Sequence, residues 1–122
     1  MKFLMTYQGD TSAPPTPEKM AAIGKFGQEM AAKGVLLMTG GLVRPDHGTK
    51  LKYADGKHTV MDGPFPETKE LIDGFALIRC NSLQEAIAIG QEFMSIAGEG
   101  DGEVLQVFDA SDGGPPGPPS AA

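Results

Sequence analysis

The 122-residue sequence has no tryptophan, one cysteine and two histidines. A single cysteine, Cys80, cannot form an internal disulfide, which agrees with a reducing compartment. With only His47 and His58 available, no set of three or four convergent zinc ligands is recognisable. A phosphate-binding glycine loop and a Gly-x-Ser-x-Gly motif are also absent. We therefore expect neither a metal nor a cofactor.

Long apolar runs and excess positive charge are missing as well. No run approaches the roughly 20 apolar residues of a membrane-spanning helix. The first residues lead directly into a short strand pattern, without the charged leader and apolar segment of a signal peptide. The net charge of −6 repels anionic membranes and nucleic-acid backbones. We expect a cytoplasmic protein that binds neither.

The composition is that of one ordinary globular domain, with 40% hydrophobic and 21% charged residues. We place this domain at residues 1–109 and a tail at residues 110–122. The tail holds the run Gly113-Gly114-Pro115-Pro116-Gly117-Pro118-Pro119, which favours extended, solvated backbone.

The periodicity of the first half predicts a strand, a helix and a second strand. Residues 2–7 alternate with period two. Thr16 and Pro17 are typical of a helix start, and Gly34 of a helix end. The apolar run at residues 35–43 predicts a strand buried on both faces, with a bulge or close approach at its glycines. The apolar face of the helix is predicted at Met20, Ile23, Gly27, Met30 and Ala31.

The second half predicts a hairpin and then a further strand, helix and strand. Asp55-Gly56 between two short strand patterns is a strong hairpin signal. Ser82 and Glu85 form a capping box, so a helix begins at Leu83. Residues 97–102 are predicted as a glycine-rich loop. The four strands of this half are predicted at residues 49–53, 58–61, 72–79 and 103–108.

This order is the split βαβ arrangement of an α+β, ferredoxin-like βαββαβ sandwich with an inserted β-hairpin. Its two helices can cover only one face of the four-stranded sheet, although several strands carry apolar residues on both. An open apolar sheet face is an association surface. We therefore predict a homodimer formed through that face.

The segment between hairpin and next strand matches no periodic pattern. It reads Asp62-Gly63-Pro64-Phe65-Pro66-Glu67-Thr68-Lys69-Glu70. Its two prolines fix two φ angles and remove two donors, so the pattern predicts a stiff loop. The loop resembles the signature of the DGPF family, part of the YCII-related group of bacterial proteins. The resemblance implies a dimeric α+β barrel whose sheets pair face to face and leave a cleft beside each sheet.

Two interpretations of this loop remain open. In the functional one, it lines the cleft, with Glu67, Lys69 and His47 as acid–base groups. The ligand contacts would come from Tyr7, Arg44, Asp62, Phe65 and Glu70. In the structural one, Asp62 caps its own turn, Phe65 fills the core or dimer seam, and the charged residues pair at the surface.

The resemblance to the YCII branch also implies chemistry by a histidine–aspartate pair. Because no histidine occurs in the first strand or first helix, His47 or His58 would have to fold back over the cleft. Two functions follow as hypotheses. One is a small-molecule site with possible acid–base chemistry. The alternative is a non-catalytic accessory or regulatory dimer linked to sigma-factor-controlled stress transcription, as the DGPF resemblance implies.

Overall fold

The computed structural model describes residues 1–9, 15–42, 48–62 and 74–115. Strand order in the four-stranded antiparallel sheet is β2-β5-β1-β6, and β3 and β4 form a separate two-stranded ribbon. This is the ferredoxin-like α+β order predicted from the sequence. The elements are β1 (Lys2–Gly9), α1 (Pro17–Ala32), β2 (Leu36–Gly41), β3 (Thr49–Ala54), β4 (Lys57–Asp62), β5 (Gly74–Arg79), α2 (Leu83–Ala97) and β6 (Gly100–Val107).

Both helices begin at the predicted caps. The Thr16 hydroxyl accepts a hydrogen bond of 3.1 Å from the Lys19 amide, which satisfies one donor of the first turn. The Ser82 hydroxyl does the same for the Glu85 amide at 3.1 Å. The Glu85 carboxylate accepts from the amide of Asn81 rather than that of Ser82, at 3.3 Å. The second hydrogen bond of the predicted capping box is therefore donated by Asn81, one residue before the N-cap.

The hydrophobic core lies between the sheet and the helices, near the start of β1. Phe3, Ile78 and Ala86 are almost completely buried there. Along α1 the buried residues are Phe26 and Met30, whereas Met20 is 61% exposed. Ala31 is exposed as well, so the prediction that Met20 and Ala31 belong to the buried face was wrong.

Two strand predictions also need correction. β6 begins at Gly100, because Gly100 and Gly102 pair with Gly9 and Tyr7 of β1. The predicted loop at residues 97–102 is therefore shorter. β2 is not buried on both faces, since most of its residues are exposed within the chain.

The irregularity in β2 lies between Leu36 and Met38, before the glycines. The close approach occurs at Gly40. A Cβ atom added there would lie 3.0 Å from the Phe75 ring. The glycine thus lets that ring lie against the β2 backbone, as the pattern had indicated.

The sheet face opposite the helices carries a continuous apolar row. Because Phe3 and Ile78 point into the core, their neighbours Leu4 and Leu77 point to the other face. The registers Met38↔Leu77, Leu77↔Leu4 and Leu4↔Leu105 align one apolar residue from each strand. At the row's ends, Met38 is 59% and Leu105 is 48% exposed. We call these four residues the open-face row.

The hairpin formed by β3 and β4 turns at the predicted dipeptide. Asp55 and Gly56 have φ angles of 54° and 73°, and Ala54 pairs with Lys57 across them. Positive φ at both central residues is the turn geometry that matches the twist of a two-residue hairpin. Every residue of both strands is exposed.

Among the described residues, neither helix has the length and apolar character needed to cross a membrane.

Candidate functional site

One end of the sheet has a row made almost entirely of glycine on its helix-facing side. The registers Gly41↔Gly74, Gly74↔Tyr7 and Tyr7↔Gly102 place one residue from each strand side by side. Three of these four residues have no side chain. Tyr7 is the fourth, and we call this end of the sheet the Tyr7 end.

Tyr7 is held by several contacts. Its hydroxyl donates toward the carbonyl oxygens of Gly98 at 2.9 Å and Glu99 at 3.2 Å. Its ring meets the Phe93 ring edge-on, with 5.4 Å between centroids. A Cβ atom on Gly9 would lie 3.0 Å from the Tyr7 ring, so the ring lies over bare backbone. Tyr7 therefore joins β1 to the segment between α2 and β6.

The other sequence-predicted residue within the described ranges is Asp62, the last residue of β4. Its carboxylate accepts a hydrogen bond of 2.9 Å from the Thr49 hydroxyl across the base of the hairpin. Both residues are exposed. The contact ties the two strands together. Tyr7 belongs to the four-stranded sheet and Asp62 to the separate ribbon.

The remaining predicted site residues lie outside the described residues. They are Arg44, His47, Phe65, Glu67, Lys69 and Glu70. Chain connectivity nevertheless relates them to the sheet. The segment with Arg44 and His47 follows the C-terminal end of β2, and the segment with the other four precedes Gly74 of β5. Both strand ends lie at the Tyr7 end.

His58, the other histidine, lies on β4. Its ring packs edge-on against Tyr53, with 4.7 Å between centroids, and both residues are exposed. His58 therefore packs within the hairpin.

Two ionisable groups with shifted pKa values lie at the opposite end of the sheet. Burial raises the pKa of the Cys80 thiol, and a backbone hydrogen bond of Ser82 only partly offsets that effect. The hydrogen bond from Lys2 and those from Ser111 lower the pKa of Asp109 to about 2. Asp109 also caps the short 3₁₀ turn Ala110–Asp112. Cys80 follows β5 and Asp109 follows β6 at the end of the sheet opposite Tyr7, so neither group is near Tyr7.

An open depression of about 560 Å³ lies beside the C-terminal end of α2. It is lined by Gln91, Met94, Ser95, Gly98, Glu99 and Gly100. The carbonyls of Gly98 and Glu99 that Tyr7 contacts belong to the same segment. Sequence reasoning missed this segment because its role comes from backbone carbonyls, which any residue type supplies. In the described ranges, no three His, Cys, Asp or Glu residues are grouped to hold a metal ion.

In a comparison with known proteins, the chain is similar in sequence to a curated protein. It is an uncharacterized protein of Rhizobium meliloti (strain 1021), 45% identical over 51 residues. The match spans 42% of this chain and 41% of the relative, less than half of either. The model of the YCII-related domain matches residues 1–111, which include all the strands and both helices. On that match, the chain belongs to the family of the YCII-related domain.

Proposed function

We propose that the protein is a cytoplasmic homodimer that binds a small polar molecule at the Tyr7 end of each sheet. Glu67, Lys69 and His47 supply acid–base groups in this proposal. The ligand contacts come from Tyr7, Arg44, Asp62, Phe65 and Glu70. We also propose that the protein belongs to the DGPF branch of the family, which the signature containing Asp62 and Phe65 supports.

The observation that carries the proposal is the meeting of strand ends at the Tyr7 end. β2 ends there at Gly41, and β5 begins there at Gly74. The chain segments with the six remaining candidates are attached to these ends. Because both positions are glycine, neither β2 nor β5 places a side chain in this row beside Tyr7. In this proposal the polar side chains of the attached segments reach the open depression lined by Gly98 and Glu99, whose carbonyls Tyr7 contacts, since small-molecule sites combine a depression with a few polar groups.

The charge pattern supports a polar ligand. The attached segments supply two cationic side chains, Arg44 and Lys69, and four carboxylates, which are Asp46, Glu67, Glu70 and Asp73. An acid and a base from this set can transfer a proton only within hydrogen-bond reach of the ligand. Substitutions at Glu67 and Lys69 therefore test the chemistry directly.

The dimer is supported by the open-face row. Four apolar side chains side by side, one on each strand, form a patch that water solvates poorly. A twofold axis would bring the same row of a second copy onto it. The sheets would then stack about 10 Å apart, as in a face-to-face barrel.

The experiment is native mass spectrometry of gently purified protein, repeated for Glu67→Gln and Lys69→Met. We expect a dimer that carries extra small-molecule mass, and loss of that mass in both variants at unchanged melting temperature. Glu29→Gln, an exposed position on α1, is the matched control and should keep the ligand. A bare dimer in every preparation would contradict the binding site. A monomer would contradict the dimer.

One observation favours the alternative, a non-catalytic accessory dimer. The Tyr7 hydroxyl is already engaged by two backbone carbonyls of its own chain, so its presence is explained by structure alone. That alternative predicts that Glu67→Gln and Lys69→Met change stability rather than ligand content.

A further inference from the structure

The hairpin has two chemically different faces. Side chains alternate along each strand, and the register pairs Leu51 with Val60 and Tyr53 with His58 on one face. Leu51 is 79% exposed, and Tyr53 and Val60 are each 63% exposed. The other face carries all three lysines of the hairpin. These are Lys50, Lys52 and Lys57, which share that face with Met61, whereas the carboxylate of Asp62 lies at the base of the Leu51 face.

A two-stranded ribbon of this kind needs support. An isolated hairpin is marginally stable in water, and three strands or packing on another element are usually required. β3 and β4 pair with each other, and every residue of both strands is exposed to solvent. The lysine face is suited to water. The Leu51 face therefore calls for a covering surface.

The open-face row by itself is a small interface. The whole open face of the sheet, with four strands about 4.8 Å apart and about six to eight residues in each, covers on the order of 400–500 Å² in projection, and the row is only part of it. The rows on either side of it mix charged and apolar groups: Lys2 and Arg79 lie beside Val107 in one row, and Glu103 and Phe75 lie on either side of Thr6 in the other. A standard stable interface buries about 800 Å² on each partner. A dimer built on this face gains the missing area if another apolar surface joins it.

The chain itself offers a surface that fits the hairpin. Residues 34–42 contain no charged side chain, and Leu37 and Leu42 are 41% and 39% exposed. Met38 of the open-face row lies in the same strand, so this surface continues the proposed dimer interface. The opposite edge strand, β6, carries Asp101 and Glu103 and is less suited to an apolar cover.

We infer that the hairpin is a dimerisation arm, whose face of Leu51, Tyr53 and Val60 packs on the apolar β2 edge of a second copy. The inference rests on the proposed dimer. It adds two symmetry-related contacts, in which the hairpin of each copy packs on β2 of the other. The three lysines remain in water on the outer side of each arm. The hairpin then gains the support that two strands alone lack.

The test compares two variants that add the same charge to opposite faces of the hairpin. Leu51→Lys places an ammonium group on the arm's contact face, and Thr59→Lys places one among the existing lysines. Sedimentation equilibrium gives the dimer dissociation constant of each variant. We expect Leu51→Lys to weaken the dimer by about tenfold or more, as for a buried interface residue. Thr59→Lys should stay within about threefold of the unmodified protein.

The outcomes distinguish a failure of the proposed hairpin contact from a failure of the proposed dimer. A dimer unaffected by Leu51→Lys would overturn the arm while leaving the open-face dimer in place. An unmodified protein that is monomeric would overturn the dimer, and with it the arm. Equal weakening by both variants would assign the effect to charge and overturn the arm. As a second readout, mixed Val60→Cys and Met38→Cys proteins should form a disulfide-linked heterodimer, and Thr59→Cys with Met38→Cys should not.

Discussion

The hydroxyl of Tyr7 lies 2.9 Å from the carbonyl oxygen of Gly98, a residue 91 positions later in the chain. Gly98 follows the last turn of α2 and has a φ of 110°, a backbone angle that favours glycine. The contact fixes the short connection between α2 and β6 against the end of β1. It makes Tyr7 a structural residue of the same sheet end that we propose as the ligand site.

We expect Tyr7→Phe to lower the free energy of unfolding by about 1 kcal/mol, the usual net value of one hydrogen bond. The ring and its contact with Phe93 remain, so packing is kept. Urea denaturation measures the change. Tyr53→Phe on the exposed hairpin is the control and should have an effect within about 0.5 kcal/mol. Equal effects of the two variants would mean that the contact with Gly98 contributes no stability.

The local signals in the sequence predicted the fold well. Thr16, Ser82 and Asp55-Gly56 each act through backbone groups within four residues, so neighbouring residue types are enough to recognise them. Together they fix where two helices and the hairpin begin or turn. The ferredoxin-like strand order then follows from the order of the elements.

What the sequence could not predict depends on distant partners. Met20 has the right spacing for a buried face, but its burial depends on which other elements pack against that part of the helix, and it is 61% exposed. The hairpin's apolar face has a clear pattern, yet the pattern does not say which surface covers it. The site was predicted from its composition, and of its eight residues only Tyr7 and Asp62 lie within the described ranges.

Gly24 lies within α1 and Gly34 follows its end. Alanine substitutions at these two positions form a matched pair. A Cβ atom on Gly24 would meet nothing within 4 Å, so Gly24→Ala should stabilise the protein by about 0.5–1 kcal/mol through helix propensity. Gly34 ends the helix with a φ of 74°, where alanine is strained. Gly34→Ala should destabilise by about 1 kcal/mol. Thermal unfolding measures both. Effects of the same sign would contradict the assigned backbone geometry.

Gln106 on β6 has a buried side-chain oxygen without a hydrogen-bond partner in the described part of the chain. It lies opposite Phe3, on the helix-facing side of the sheet. A buried acceptor without a partner loses its hydration without compensation. Gln106→Met keeps the side-chain volume and removes the unpaired oxygen, so we expect the free energy of unfolding to rise by about 1 kcal/mol. Gln28→Met, on the exposed side of α1, should be neutral. A fall in stability would show that the amide makes a contact worth keeping.

The free energy of unfolding at acidic pH should depend on the ionisation of Asp109. Its pKa is lowered from 3.8 to about 2, first by the hydrogen bond from Lys2 and then by those from Ser111. A lowered pKa favours the folded state above pH 3.8, and that contribution disappears as the pH falls through about 2. In Lys2→Met, an NMR titration should show the Asp109 pKa moving up toward 3.8. Added salt should move it the same way in the unmodified protein, because this ion pair is exposed. An unchanged pKa in Lys2→Met would exclude the ion pair as the cause.

The alkaline limb should depend on Cys80, whose thiol is buried in the core beside Ile78 and Ala86. Burial raises its pKa above the ordinary value of 9.0, because a thiolate is poorly solvated there. The folded state therefore holds this proton more tightly than the unfolded state does. The resulting stability is complete below pH 9.0 and is lost as the pH rises through the raised pKa.

Cys80→Ala should cost about 1 kcal/mol at neutral pH, as for one buried methyl group. Its stability should also fall less steeply above pH 9.0 than that of the unmodified protein, which urea denaturation across the alkaline range measures. Parallel curves would show that ionisation of this thiol is not linked to unfolding.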